Sequence, residues 1–363
     1  MISISLCMIV KNEEKLLSKC LDGIKELVDE IVIVDTGSTD RTIEIAKKYT
    51  NSIYNFQWVN DFSAARNFAF SKATKEYIFW LDADDIITED NKEKFKTLKQ
   101  ELSNDIDYVT AIYDYSISDD GKVLTSFRLN RIVKNFKGFY WHNIIHEDLI
   151  AWGNKIDSAI HLTHLKNHYD CERNINFIRQ KMNSGYFLTH KENLLYGQEL
   201  FYAKYYDDTI RVFKNYLKHL EGTLSDRRYA CRMLSNCYDI KGDYENALSY
   251  LIDCFKYGPP YDYELYKLAT FLQSEKRYEE AIYWYKHLIS CPDLNNDYEN
   301  WIKYLPHQQL CCCYYELGDL DNSNKHNEMA ANFNPNDPYV VENRQLFKSL
   351  GFNNDIEDTG KDN

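Results

Sequence analysis

Two carboxylates, Asp82 and Asp84, close the apolar run Tyr77–Leu81 in the segment FWLDADD. An apolar strand that delivers two negative charges into a crevice needs something to balance them. A divalent ion such as Mg²⁺ or Mn²⁺ does so while also meeting phosphate oxygens, because hard cations prefer oxygen ligands. The competing reading is a helix cap, since Asp84 and Asp85 precede IITEDNKEKF and short acidic residues favour that position. Asp35 ends a second apolar run, EIVIVD, just before TGSTD. Its carboxylate fits either a turn acceptor or an acceptor for a base N–H. Arg66, in DFSAARN, adds a cation that reaches a diphosphate or braces Asp82; without such a partner it is a solvated helical arginine. No Ser–His or Cys–His pattern accompanies these residues, and none of the 10 cysteines lies in their segments.

These side chains need elements that carry them to one edge. ISISLCMIV, at 2–10, reads as a strand, and a helix is expected over about 13–28. There Leu16, Leu17, Cys20, Leu21, Ile24, Leu27 and Val28 recur on one helical face. Glu30–Asp35 is the second strand, RTIEIAKKY a helix capped by Asp40, and Ile53–Phe56 a third, short strand. A helix over 63–74 with Arg66 in its first turn leads to the strand Tyr77–Leu81. Strand–helix–strand units at this spacing predict a parallel sheet covered on both faces. Ligands of such sheets sit beyond the carboxyl ends of the strands, where Asp35, Asp82 and Asp84 fall. Further strands are expected over Tyr108–Tyr115 and Ser126–Lys134.

From about Cys171 the pattern becomes helical and repetitive. GDYENALSYLIDCFKYGP from Gly242 aligns with KRYEEAIYWYKHLISCP from Lys276, so that Tyr244 and Tyr278, and Ala247 and Ala281, lie 34 residues apart. A third copy starts at Gly318, 42 residues after Lys276, which places an inserted loop near PDLNNDYEN; an earlier one puts Thr209 38 residues before Ala247. That period, with a small residue where two helices cross, predicts tetratricopeptide-type hairpins, each burying its face against its neighbours. The expected division is a catalytic α/β domain over 1–170, an all-α repeat domain over 171–350 and a polar tail over 351–363.

Composition narrows the partners. The 363 residues carry 43 Lys+Arg against 56 Asp+Glu, a net charge of −13, which argues against a nucleic-acid polymer. Hydrophobic residues at 44%, with only 6 Pro and 13 Gly, describe a globular chain. The cysteines are scattered without a C-x-x-C pair, as expected of reduced thiols in the cytoplasm. The N-terminus does not resemble a secretory signal, and no apolar run approaches the ~18 residues of a membrane span. The expectation is a cytoplasmic protein without integral membrane association.

SLCMIVKNEE, EIVIVDTGSTDRT, NDFSAARN and FWLDADD occur in that order over residues 5–85. Together they resemble the family-2 glycosyltransferases of the GT-A fold, a Rossmann-like nucleotide-sugar domain. The resemblance continues through Arg128 and Arg131 and through GFYWHNIIHEDL to HLTHLKNHYD at 161–170, covering about the first 170 residues. A GT-A domain followed by tetratricopeptide helices is also the layout of the sublancin-type peptide S-glycosyltransferases, which glycosylate a Cys or Ser side chain of a bacteriocin precursor. Some lipopolysaccharide-core glucosyltransferases carry a similar catalytic domain.

The resemblance implies that Val10, Asn12 and Glu13 border the nucleotide pocket, with Lys11 where the family pattern has an aromatic residue. It implies that Asp35 binds uracil, Arg66 lies near the diphosphate, Asp82 holds the ribose side and Asp84 the metal, Mn²⁺ or Mg²⁺. His146-Glu147-Asp148 matches the acidic motif supplying the catalytic base, with Glu147 preferred, Asp148 second and His146 orienting it. His164, ahead of His161 and His168, is the candidate to complete the metal site. The implied activity is inverting transfer from a UDP-sugar to a peptide or protein acceptor recruited by the repeat domain. Tyr202, Tyr205, Tyr206, Tyr283, Trp284 and Tyr285 are candidates for the recruiting surface, with repeat packing the competing reading for at least half of them. The rival readings are transfer to a cell-surface saccharide or lipid-linked sugar, and a binding scaffold with a vestigial transferase domain. The oligomeric state stays open, a homo-oligomer included.

Overall fold

Three all-apolar runs become adjacent parallel strands in the computed structural model: β1 (Ile4–Val10), β2 (Glu30–Asp35) and β4 (Tyr77–Trp80), with the short β3 (Ile53–Asn55) beside β2. The structure describes residues 1–118, 121–165, 170–219, 221–290 and 304–352. His168, the inserted loop near PDLNNDYEN and all but the start of the tail lie outside the described residues.

Alternate residues of β1 enter different cores. Leu6 and Met8 pack with α1 (Leu17–Ile24) and with Phe79 and Phe95, whereas Cys7 joins Val34, Trp80 and Trp141 on the other face. A strand covered on both sides has no polar face to show, which is why these runs do not alternate.

The sheet is mixed, not parallel throughout. Its eight strands run β3-β2-β1-β4-β7-β6-β10-β5, with β5 (Asp85–Ile86), β6 (Tyr108–Ile117), β7 (Val123–Lys134) and β10 (Lys155–His164). Only five residues, 118–122, separate β6 from β7 in the sequence, and a connection of that length only allows antiparallel pairing. β7 therefore runs against both β4 and β6, and β5 runs against β10. Because β10 is parallel to β6, its last residue, His164, reaches the same edge as the ends of β1, β2 and β4. Two short strands, β8 (Tyr140–His142) and β9 (Asp148–Ile150), form a separate ribbon around the HED segment.

The chain divides into two compact units, Met1–Ala203 and Lys204–Asn363. Helices begin near residue 171 as expected, but α5 (Cys171–Asn183) and α6 (His190–Tyr202) belong to the first unit. Their apolar and charged residues meet the catalytic domain: Phe177 packs on Trp58 and Phe62, and Lys181 pairs with Asp61.

In the second unit helical hairpins succeed one another. They are α7 (Tyr206–Lys218), α8 (Leu224–Ile240), α9 (Tyr244–Asp253), α10 (Asp262–Ser274), α11 (Tyr278–Ser290), α12 (Leu305–Glu316), α13 (Leu320–Ala331) and α14 (Pro338–Ser349). Thr209, Ala247, Ala281 and Ser323 occupy equivalent positions and are all 0% exposed. A larger side chain there would hold the paired helices apart. Tyr285 is core, whereas Tyr244 is 55% exposed and makes only one edge-on ring contact, to Phe271, among the described residues.

Candidate active site

The carboxyl ends of β1, β2, β4 and β10 bring the acidic residues together. After β4 the chain passes through Asp82, Ala83 and Asp84 into β5. The helix that follows, α4 (Glu89–Glu101), has Thr88, and not Asp84 or Asp85, at its N-cap position.

Asp84, Asp85 and His164 form a three-residue cluster whose donor atoms lie within 4.8 Å of one another. The two aspartates differ sharply. Asp85 is fully buried; Tyr113 donates its hydroxyl to Oδ1 (2.7 Å), and Arg131 Nη1 (3.0 Å) and the Asp82 N–H (3.1 Å) donate to Oδ2. Burial alone would raise its pKa, but the Arg131 charge outweighs it, helped by hydrogen bonds from His164, Tyr113 and the Asp82 N–H. The carboxyl is held below its ordinary value. Arg131 is in turn clamped between two rings, 3.7 Å from that of Trp80 and 4.4 Å from that of Tyr113.

Asp84 and His164 keep partial access to solvent, with Asp84 Oδ1 3.8 Å from His164 Nδ1. Burial would depress the imidazole, but the Asp85 hydrogen bond and the Asp84 and Asp85 charges raise its pKa. Tyr113 Oη lies 2.8 Å from Nδ1, and Tyr115 stacks flat on the ring. With Asp85 saturated, Asp84 and His164 are the pair available to a cation. One carboxylate and one imidazole leave most positions of a Mn²⁺ or Mg²⁺ shell to phosphate oxygens and water, which suits such an ion. His161 instead pairs with Asp114 at 3.0 Å.

Arg66 is the second centre. It is the fifth residue of α3 (Phe62–Phe70), one position further in than expected, because Asp61 caps the helix by accepting the Ala64 N–H. Far from being solvated, it is buried. Its Nε–H donates to Glu147 Oε1 at 2.6 Å and its Nη2 to Asp82 Oδ1 at 2.8 Å. Trp80 and Trp141 each lie 4.8 Å from the guanidinium carbon. Burial would lower its pKa, but the Asp82 and Glu147 charges more than offset this and raise it. Asp148 is exposed, with Oδ2 accepting from Asn143 Nδ2 at 3.3 Å, and His146 Nε2 is paired with Glu199 of α6 at 2.5 Å.

On the β1–β2 side, Asp35 accepts N–H groups from Gly37 and Ser38, both at 3.1 Å, so its carboxylate does shape the turn. The Val10 carbonyl accepts the Thr36 N–H at 3.0 Å. Asn12, at φ 56°, accepts the Thr39 N–H through Oδ1, and the Glu13 N–H donates to Thr42. Asp40 does not cap α2 (Thr42–Ala46) directly: Arg41 holds that position, and Asp40 accepts the Thr42 N–H. Asn12, Glu13, Glu14, Lys15, Leu16 and Asp40 line a shallow pocket here.

Sequence reasoning left Asp85, Tyr113 and Glu199 without a role in the site. Arg131, in the R-x-x-R stretch, was part of the resemblance but was given none either. An acid directly after a D-x-D pair is the one local signal that pointed at Asp85.

A mixed sheet of this order with acidic strand ends on one edge is a GT-A-like α/β domain, and the paired helices that follow it in the chain are tetratricopeptide-like. The model of the family described as glycosyl transferase family 2 matches residues 5–154, so the N-terminal domain is a family-2 glycosyltransferase domain. A TPR repeat-containing protein of Synechococcus elongatus is 36% identical over 159 residues, 42% of this chain and 37% of that protein. The SPbeta prophage-derived glycosyltransferase SunS of Bacillus subtilis is 33% identical over 153 residues, 41% of this chain and 35% of that protein. The chain thus matches little more than a third of the length of these relatives. The Staphylococcus aureus protein TarS, residues 1–349 in complex with UDP-GlcNAc, aligns with a TM-score of 0.41 at 13% identity, over 68% of this chain and 90% of that one. No described helix is long and apolar enough to cross a membrane.

Proposed function

We propose that this protein is a metal-dependent inverting glycosyltransferase that moves a sugar from a UDP-sugar to a peptide or protein side chain. One observation carries the reading: a carboxylate–imidazole pair, Asp84 and His164, shares a sheet edge with a buried arginine that holds Glu147 and Asp82 together. Val10, Asn12, Glu13 and Asp35 border the base, and Asp82 takes the ribose side. Mn²⁺ or Mg²⁺ at Asp84 and His164 would neutralise the charge that gathers on the β-phosphate.

Glu147 accepts the proton of the acceptor nucleophile as that atom bonds to C1 and the C1–O bond to UDP breaks, a single displacement that inverts the carbon. Asp148 is the second candidate for this role, and His146 braces the motif. Arg66 orients Glu147 and completes the positive wall facing the diphosphate. The repeat unit recruits the acceptor, as stacked helical hairpins present extended surfaces suited to peptides. Tyr205 and Tyr283 are exposed aromatic side chains of that unit suited to the role. The free cysteines fit a cytoplasmic enzyme.

A panel of UDP-glucose, UDP-galactose and UDP-N-acetylglucosamine, scored with Mn²⁺ for UDP release and thermal stabilisation, tests the donor. Adding a Cys- or Ser-containing peptide should then accelerate UDP release above hydrolysis. Acceleration by saccharides alone would replace the peptide acceptor with a glycan.

A further inference from the structure

The acidic motif sits on a backbone that needs outside support. Asn143 and His146, neither of them glycine, adopt φ of 75° and 46°, a left-handed conformation that persists in such residues only when the surroundings impose it. Within the catalytic domain the segment is held by Ser63, whose hydroxyl donates to the Asn143 carbonyl at 2.6 Å, and by the Phe62 N–H, which donates to the Ile144 carbonyl at 3.2 Å. Arg66 holds Glu147 itself.

His146 is held from elsewhere. Its Nε2 lies 2.5 Å from Oε1 of Glu199, a residue of α6 that is 0% exposed. A carboxylate taken fully out of water is costly unless donors meet it, and the His146 imidazole is one group that meets Glu199. Glu199 lies outside the segment that matches the glycosyltransferase family, residues 5–154. The helix that carries it is nevertheless part of the same compact unit. The neighbouring α5 anchors that helical pair on the segment leading into α3, through Lys181 to Asp61 at 3.1 Å and through Phe177 against Trp58 and Phe62.

We infer that Glu199 is a positioning residue for the transfer step: by fixing the His146 ring in its left-handed backbone, it sets where the adjoining Glu147 carboxylate stands. The catalytic loop of this chain is thereby completed by a helix from beyond the family-2 domain. The inference rests on the reading of Glu147 as base.

The test uses the full chain with Mn²⁺ and whichever of UDP-glucose and UDP-N-acetylglucosamine turns over faster, following UDP release for Glu147→Gln, Glu199→Gln, His146→Gln and the Glu199→Gln/His146→Gln double variant. Glu199→Gln is expected to lower kcat about tenfold or more with KM for the UDP-sugar unchanged, since Glu199 contacts neither donor nor metal. The double variant should lose no more than the worse single one, because both changes break one contact. A kcat within twofold of wild type for Glu199→Gln, or single losses that multiply in the double variant, overturns the inference while leaving the base assignment standing. Wild-type turnover by Glu147→Gln removes the base assignment and this inference with it. If Glu199→Gln does not fold, His146→Gln, on the more exposed side of the pair, reads the same contact, with the same kcat loss expected and unchanged kcat overturning the inference.

Discussion

Replacing Asp85 by asparagine would strand the Arg131 guanidinium in the sheet. Asp85 and Arg131 are 0% and 1% exposed in their side chains, and the pair closes at 3.0 Å. Asparagine keeps the shape but removes the charge, and breaking a buried pair from one side costs about 3–5 kcal/mol. For a unit of this size that corresponds to a fall in Tm of roughly 10 °C. The Asp85 carboxyl is held below its ordinary value, so the stability it contributes is complete above about pH 4 and is lost only as pH falls further. The comparison therefore belongs at pH 7. Four of the six tryptophans, Trp58, Trp80, Trp141 and Trp152, lie in the first unit, so tryptophan fluorescence reports mainly on its transition. Arg131→Met should cost a similar amount. The double variant should be more stable than the sum of the singles by about 2 kcal/mol, because neither charge is then stranded. A loss below about 1 kcal/mol for Asp85→Asn, or strict additivity, would refute the reasoning that each buried charge depends on the other.

Arg66→Lys should lower kcat for UDP release by about tenfold or more, since an ammonium cannot fork to Glu147 and Asp82 together; steady-state kinetics with Mn²⁺ measures it. In the second unit, His307 and His326 meet through Nδ1 at 2.9 Å, and burial, with the His307 charge, lowers the pKa of His326 to about 4. Being depressed, it binds a proton more readily when unfolded, so stability is full above about pH 6.5 and falls toward pH 4. Chemical denaturation followed by circular dichroism should show a loss of about 2 kcal/mol or more between pH 7 and pH 5, reduced but not abolished in His326→Phe, because burial also lowers the pKa of His307. Ala281→Leu, at a fully buried helix crossing, should cost about 1–3 kcal/mol by overpacking, read as a lower melting temperature of the helical signal.

The strands and the repeats were legible because each obeys a local rule. Tyr77–Trp80 is apolar on both faces and ends in acid, and Ala247 and Ala281 recur at a fixed period. The second-unit helices follow from that period without knowledge of anything distant. The position of β7 did not follow, since hairpin pairing beside β4 is set by which strands meet and not by their own composition. Arg66 was visible as a cation, but its burial depends on Trp80 and Trp141, which arrive from separate strands. Asp85 was hidden by its neighbours: next to Asp82 and Asp84 it reads as one more acid or a cap. Its partners Tyr113, Arg131 and His164 lie 28, 46 and 79 residues away. Glu199 was the least visible, one of two acids, with Glu192, in an otherwise ordinary helix.

The central claim is that this sheet edge cleaves a UDP-sugar with a metal held at Asp84 and His164. Release of UDP from the UDP-sugar panel, with Mn²⁺ or EDTA, in wild type and Asp84→Ala tests it most directly. Mn²⁺-dependent release is expected of the wild type, abolished by EDTA and reduced by about 100-fold or more in Asp84→Ala. Release that is indifferent to both, or no release with any donor, would contradict it.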